Sequence, residues 1–142
     1  MKVGIYAGEI PPPIFINNLA YGLTSASYEV YLYGSSKNKK KYFFESNIKE
    51  VRFIEKKFEI IFYFIFYILK FFIKKPRKFL KAIKVIWINS KDIKHFLIRF
   101  YKILPPILDD LDIFHIQWTK TIIEYPDFFK LIDCPIILSM RG

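Results

Sequence analysis

The sequence predicts an α/β domain with a Rossmann-like, doubly wound and mostly parallel sheet of about five strands, and three observations carry that reading. The first 34 residues run strand, proline-rich turn, amphipathic helix and strand in immediate succession. The last forty return to strand, helix and strand. Between them lies a helical insertion separating strands three and four, and the strands themselves are too apolar to leave one sheet face wet, as expected of parallel strands covered on both sides.

Taken in order, Lys2-Val3-Gly4-Ile5-Tyr6-Ala7 reads as the first strand, rich in β-branched and aromatic residues. It breaks at Gly8-Glu9-Ile10-Pro11-Pro12-Pro13. Proline fixes φ near the helical value and lacks an amide hydrogen that a first helical turn leaves unpaired anyway, so Pro13 is expected to open the next helix. There Ile16, Leu19, Ala20 and Leu23 fall on one stripe, with Asn17, Asn18, Tyr21 and Thr24 on the other side. Residues 28–33 form a second strand ending at Gly34, and the polar stretch 35–41 a loop. Residues 48–54 alternate as a third strand, with Val51 and Phe53 on one face and Arg52 on the other.

The insertion, residues 58–104, is helical, basic and rich in aromatics. Residues 58–73 form an apolar helix of about 24 Å at 1.5 Å per residue, short of the roughly 30 Å hydrocarbon core of a bilayer and interrupted by Glu59 and Lys70. Pro76 opens a second helix with Phe79, Leu80, Ile83, Ile86 and Trp87 as its apolar stripe opposite Lys78, Lys81 and Lys84. A third is marked by Ile93, Phe96, Leu97, Phe100 and Leu104, with Lys94, Arg99 and Lys102 facing out and Pro105-Pro106 as its stop; His95 belongs to the same basic face. Residues 112–118 form the fourth strand, a helix interrupted near Pro126 follows, and residues 135–139 form the fifth. No covering helix follows that strand, so the sequence reads as unfinished.

Composition narrows the function. At 142 residues the chain is the size of one domain. Its single cysteine, Cys134, excludes an intramolecular disulfide and a cysteine zinc site, and sitting just before Pro135 it reads as structural rather than nucleophilic. With no secretory segment at the amino terminus, the chain is expected in a reducing compartment, the cytoplasm. The net charge of +10 is concentrated: no acidic residue occurs between Glu59 and Asp92, whereas Lys70, Lys74, Lys75, Arg77, Lys78, Lys81, Lys84 and Lys91 do. The first seven of these are candidate contacts to an anionic membrane, which adds peripheral attachment at the inner membrane face to the expected location.

Ligands of open α/β sheets bind where the strands' carboxyl ends meet the helix amino termini, so Gly8, Glu9, Gln117, Trp118, Arg141 and Gly142 are the candidate substrate-binding residues. No G-x-G-x-x-G follows the first strand, which speaks against a nicotinamide or flavin dinucleotide. No histidines and carboxylates have metal-ligand spacing either, so neither cofactor nor metal is expected. His115, in mid-strand among apolar residues, reads as a hydrogen-bonded core imidazole.

Gly4-Ile5-Tyr6-Ala7-Gly8-Glu9-Ile10-Pro11-Pro12-Pro13, the helix carrying Asn17-Asn18-Leu19, Tyr28-Glu29-Val30-Tyr31-Leu32-Tyr33-Gly34, and the pair Leu111-Asp112-Ile113-Phe114-His115-Ile116-Gln117-Trp118 and Pro135-Ile136-Ile137-Leu138-Ser139-Met140-Arg141-Gly142 together resemble the amino-terminal domain of family 4 glycosyltransferases. The likeness covers most of the chain. It implies the acceptor-binding half of a two-domain GT-B enzyme, whose other domain holds the nucleotide-sugar donor; the acceptor would be a sugar or a lipid-linked sugar. The chain by itself is then expected to be inactive. Many members place a histidine after the fifth strand near the reacting sugar; Arg141 stands there instead, which suits an anionic acceptor. Catalytic residues are not identified. Two other classes stay open: a non-catalytic membrane-surface or partner-binding module, and a nucleic-acid-binding module. The latter is disfavoured because the aromatics of residues 58–102 fall at core spacing.

Overall fold

The computed structural model describes residues 1–36, 42, 47–53 and 57–139. Strands β1 (Lys2–Glu9), β2 (Glu29–Ser35), β3 (Ile48–Phe53), β4 (Ile113–Ile116) and β5 (Ile136–Leu138) form one all-parallel sheet in the order β3-β2-β1-β4-β5. Helix α1 (Ile14–Ser25) connects β1 to β2; α2 (Lys57–Lys74), α3 (Pro76–Ile88) and α4 (Ile93–Leu108) form the insertion before β4; α5 (Thr119–Glu124) and α6 (Phe128–Leu131) precede β5. The Rossmann-like architecture and the helical insertion are those the sequence predicts. Residues 37–41 of the expected loop and Ile54 of the third strand lie outside the described residues.

The two-residue period of the strands divides the core in two. Val3, Ile5 and Ala7 point to one side, where they pack with Val30, Leu32, Ile48 and the α1 residues Ile16 and Ala20. Tyr6, Tyr31, Tyr33, Phe114 and Ile116 point to the other, toward α4. Helix α4 packs on the sheet through Tyr101, whose ring meets Phe53 at 5.6 Å and whose hydroxyl donates to the Arg52 carbonyl at 3.3 Å. Helices α2 and α3 then pack on α4: Phe64 and Phe79 approach the Phe100 ring at 5.4 and 6.2 Å, and Trp87 meets Phe96 at 5.4 Å.

Four local expectations are corrected. Pro13 has ψ 153 and is the residue before α1 rather than its first; its carbonyl accepts from the Ile16 and Asn17 amides. Helix α4 runs through Pro105-Pro106 to Leu108. Proline inside a helix removes a hydrogen bond, but every residue from Arg99 to Leu108 except the half-buried Lys102 is buried, and that packing overrides the local preference. Arg99 does not face out: it is 5% exposed and paired with the fully buried Asp127. On α3 the buried stripe is Phe79, Ala82 and Ile86, leaving Leu80 and Trp87 exposed. A stripe only three residues wide rotates with small changes in helix placement, which periodicity alone does not resolve.

One buried polar contact carries a pH dependence. Tyr33 is fully buried and its hydroxyl donates to Asp109 Oδ2 at 2.8 Å, tying β2 to the end of α4. Burial, with the charge of Asp109, holds the Tyr33 phenol protonated. Burial also pushes the Asp109 carboxyl above its ordinary value, against the lowering effect of the Tyr33 bond. The folded chain therefore keeps a proton that the unfolded chain has already released, so the stability from this group is present at low pH and is lost as pH rises from the ordinary carboxylate value to the raised one. Asp109→Asn keeps an oxygen acceptor for Tyr33 and removes the titration. Melting temperatures followed from about pH 4 to about pH 7 are expected to change less favourably on acidification in the variant than in the parent. A larger gain in the variant would contradict the assignment.

Candidate functional site

The strand order reverses at β1: the chain passes through α1 to β2 on one side and returns through the insertion to β4 on the other. At such a reversal the connections leave in opposite directions, and a crevice opens beyond the carboxyl ends of the two central strands. Here those ends are Gly8-Glu9 and Gln117-Trp118.

Two glycines shape this rim. Gly8 has φ +86, a left-handed conformation that disfavours a side chain, and the β1–β2 register shifts between Tyr6 and Gly8. A Cβ on Gly8 would stand 3.4 Å from Trp118 Cδ1, so the indole lies directly beside bare backbone. Gly34 permits a second close approach: a Cβ there would come within 2.8 Å of the Glu9 carbonyl carbon, while the Ile10 amide donates to the Ser35 carbonyl at 2.8 Å.

Trp118 is half-buried and held at two edges. Its Nε1–H donates to the Ala7 carbonyl at 2.8 Å, and the Phe15 ring packs edge-on at 5.8 Å. Glu9 is exposed on the same rim. Gln117 is 1% exposed and turns inward: its Nε2 stands 3.1 Å from His115 Nδ1, while His115 Nε2 is 2.8 Å from Ser139 Oγ. This chain joins the ends of β4 and β5 and makes His115 the hydrogen-bonded imidazole the sequence suggests.

The fold thus brings Gly8, Glu9 and Trp118 to one rim and puts the Gln117 side chain beneath it; Arg141 and Gly142 lie outside the described residues. Sequence reading passed over Phe15 and Ser139. Phe15 lies off the apolar stripe of α1 but in the first turn after the proline loop, and Ser139 follows the last strand as Gln117 follows β4; those positions were the available signals.

Elsewhere, a cavity of about 70 Å³ lined by Lys75, Lys78, Asp110, Asp133 and Cys134 is far below the roughly 300–1,000 Å³ of ligand pockets. The Cys134 thiol beside it is pushed up by burial, which opposes thiolate formation. Among the described residues no group of three or more histidines, cysteines or carboxylates could hold a metal, and no helix is long and apolar enough to cross a membrane. Of the seven candidate membrane contacts, Lys75 and Lys78 pair with Asp110 and Asp133, whereas Lys74, Arg77, Lys81 and Lys84 are exposed and Lys70 is half-buried. No family model, curated protein or solved structure matches the chain. The fold itself sets the class: a Rossmann-like α/β domain with an aromatic-walled rim at the reversal of strand order.

Proposed function

We propose that this domain is the acceptor-binding half of a glycosyltransferase with two Rossmann-like domains, the nucleotide-sugar being held by the other half. The observation that carries the reading is the Trp118 indole laid beside Gly8 at the β1/β4 reversal, backed by Phe15. An aromatic plate with its N–H already committed to Ala7 offers an apolar surface to a sugar ring, and aromatic walls with few polar groups are the usual make-up of a small-molecule site. Exposed Glu9 on the same rim is suited to accept a hydrogen bond from an acceptor hydroxyl. The missing glycine-rich phosphate loop fits a donor nucleotide bound elsewhere. Transfer requires both reactants held together, so this chain alone binds acceptor without turnover.

The chain has two tryptophans, so Trp87→Phe leaves Trp118 as the sole reporter. Titration with neutral and anionic oligosaccharides is expected to change its emission saturably, and Glu9→Gln to weaken that binding about tenfold or more, as for a hydrogen bond to a charged group. Silence toward every saccharide, or turnover of a nucleotide-sugar by this chain alone, would sink the reading.

A further inference from the structure

The insertion leaves an apolar face uncovered. Inward, α2 applies Phe64, Tyr67, Ile68 and Phe71 to the core. Outward it presents Phe62, Ile65, Phe66, Leu69, Phe72 and Ile73, a second stripe at helical spacing, with Phe62 69% and Ile73 78% exposed. A helix apolar all round is ordinarily buried on every side, and contiguous apolar surface on a soluble domain marks an interaction site. The outward face of α3 differs: Arg77, Lys81 and Lys84 alternate with Leu80, Trp87 and Ile88, Leu80 being 66% exposed.

We propose that the outer faces of α2 and α3 dock on an anionic lipid bilayer, α2 lying in the interface with its apolar stripe inserted and the cations of α3 meeting the headgroups. Charge decides this occupant. Residues 60–91 contain no aspartate or glutamate. Two of their eight cations, Lys75 and Lys78, are already paired within the domain. Lys70 lies 5.9 Å over the Phe66 ring of the apolar stripe, Lys74, Arg77, Lys81 and Lys84 are exposed on the same two helices, and Lys91 is exposed just after α3. A second copy of the chain would set six like charges against six, which disfavours self-association. A nucleic acid would satisfy the charges but leave Ile65, Leu69 and Ile73 in water. A bilayer of negative surface satisfies both, because long cationic side chains reach headgroups while their stems line the apolar boundary. At 18 residues α2 spans about 27 Å, a length that suits lying in the interface rather than crossing it.

The test is co-sedimentation of the chain with vesicles of phosphatidylcholine alone and of phosphatidylcholine and phosphatidylglycerol in equal parts. The chain is expected to pellet with the anionic vesicles and to be released near 1 M salt, where the screening length falls to about 3 Å. Trp87, as sole tryptophan in Trp118→Phe, is expected to shift its emission to the blue on binding. Lys81→Gln and Lys84→Gln are each expected to weaken vesicle affinity about fivefold. Phe62→Ser with Leu69→Ser, both exposed positions, is expected to abolish the blue shift while circular dichroism remains that of the parent. Equal recovery in the supernatant with both vesicles at low salt would overturn the proposal. So would concentration-dependent dimers, or tight binding of a labelled single-stranded oligonucleotide, without vesicle binding.

Discussion

Replacing Asp127 with alanine is expected to cost about 3–5 kcal/mol, because it strands a buried guanidinium. Arg99 reaches Asp127 from α4, Asn89 donates to the same carboxylate at 2.6 Å from the end of α3, and the guanidinium lies 5.3 Å over the Tyr125 ring. One carboxylate therefore joins α3, α4 and the turn before α6. Against the 5–15 kcal/mol that holds an ordinary domain, its loss leaves little margin. Arg99→Met with Asp127→Leu removes both charges and should be far milder than the single change, since a buried ion pair contributes little beyond its apolar equivalent. Urea denaturation midpoints measure both. A single variant within about 1 kcal/mol of the parent would mean that the pair is not buried in solution.

Phe100→Ala should be comparably severe, about 3–5 kcal/mol for deleting a fully enclosed ring. Phe100 receives Phe64 from α2, Phe79 from α3 and Phe96 from its own helix. The cavity would open where the outer helices meet α4, whereas the ladders of β1, β2 and β4 are untouched. Hydrogen exchange is accordingly expected to accelerate in α2 and α3 before the sheet, as local opening follows the weakest packing. Uniform acceleration, or a loss below about 1 kcal/mol, would contradict this account.

Much of the rim was legible in advance because its ingredients are local. Gly8 ends an apolar run and precedes three nearby prolines, and Trp118 ends another; a strand's carboxyl end is recognisable from composition. Gln117 stands just past the end of β4 but faces the core side of the rim, because its buried amide joins His115 rather than opening to solvent. Arg99 was misread for the opposite reason. Charge marks an outward face only when no partner waits inside, and Asp127 lies 28 residues away in sequence.

The sequence by itself determined the strands, the helices and their alternation, since a period of two or of 3.6 is written into neighbouring residues. Only the tertiary structure decided the order β3-β2-β1-β4-β5, which sets Trp118 against backbone 111 residues earlier. It also carried α4 through two prolines and chose which face of α2 stays open. Each of these depends on burial shared between segments distant in the chain, and the free energy of removing apolar surface from water belongs to the contact rather than to either segment alone.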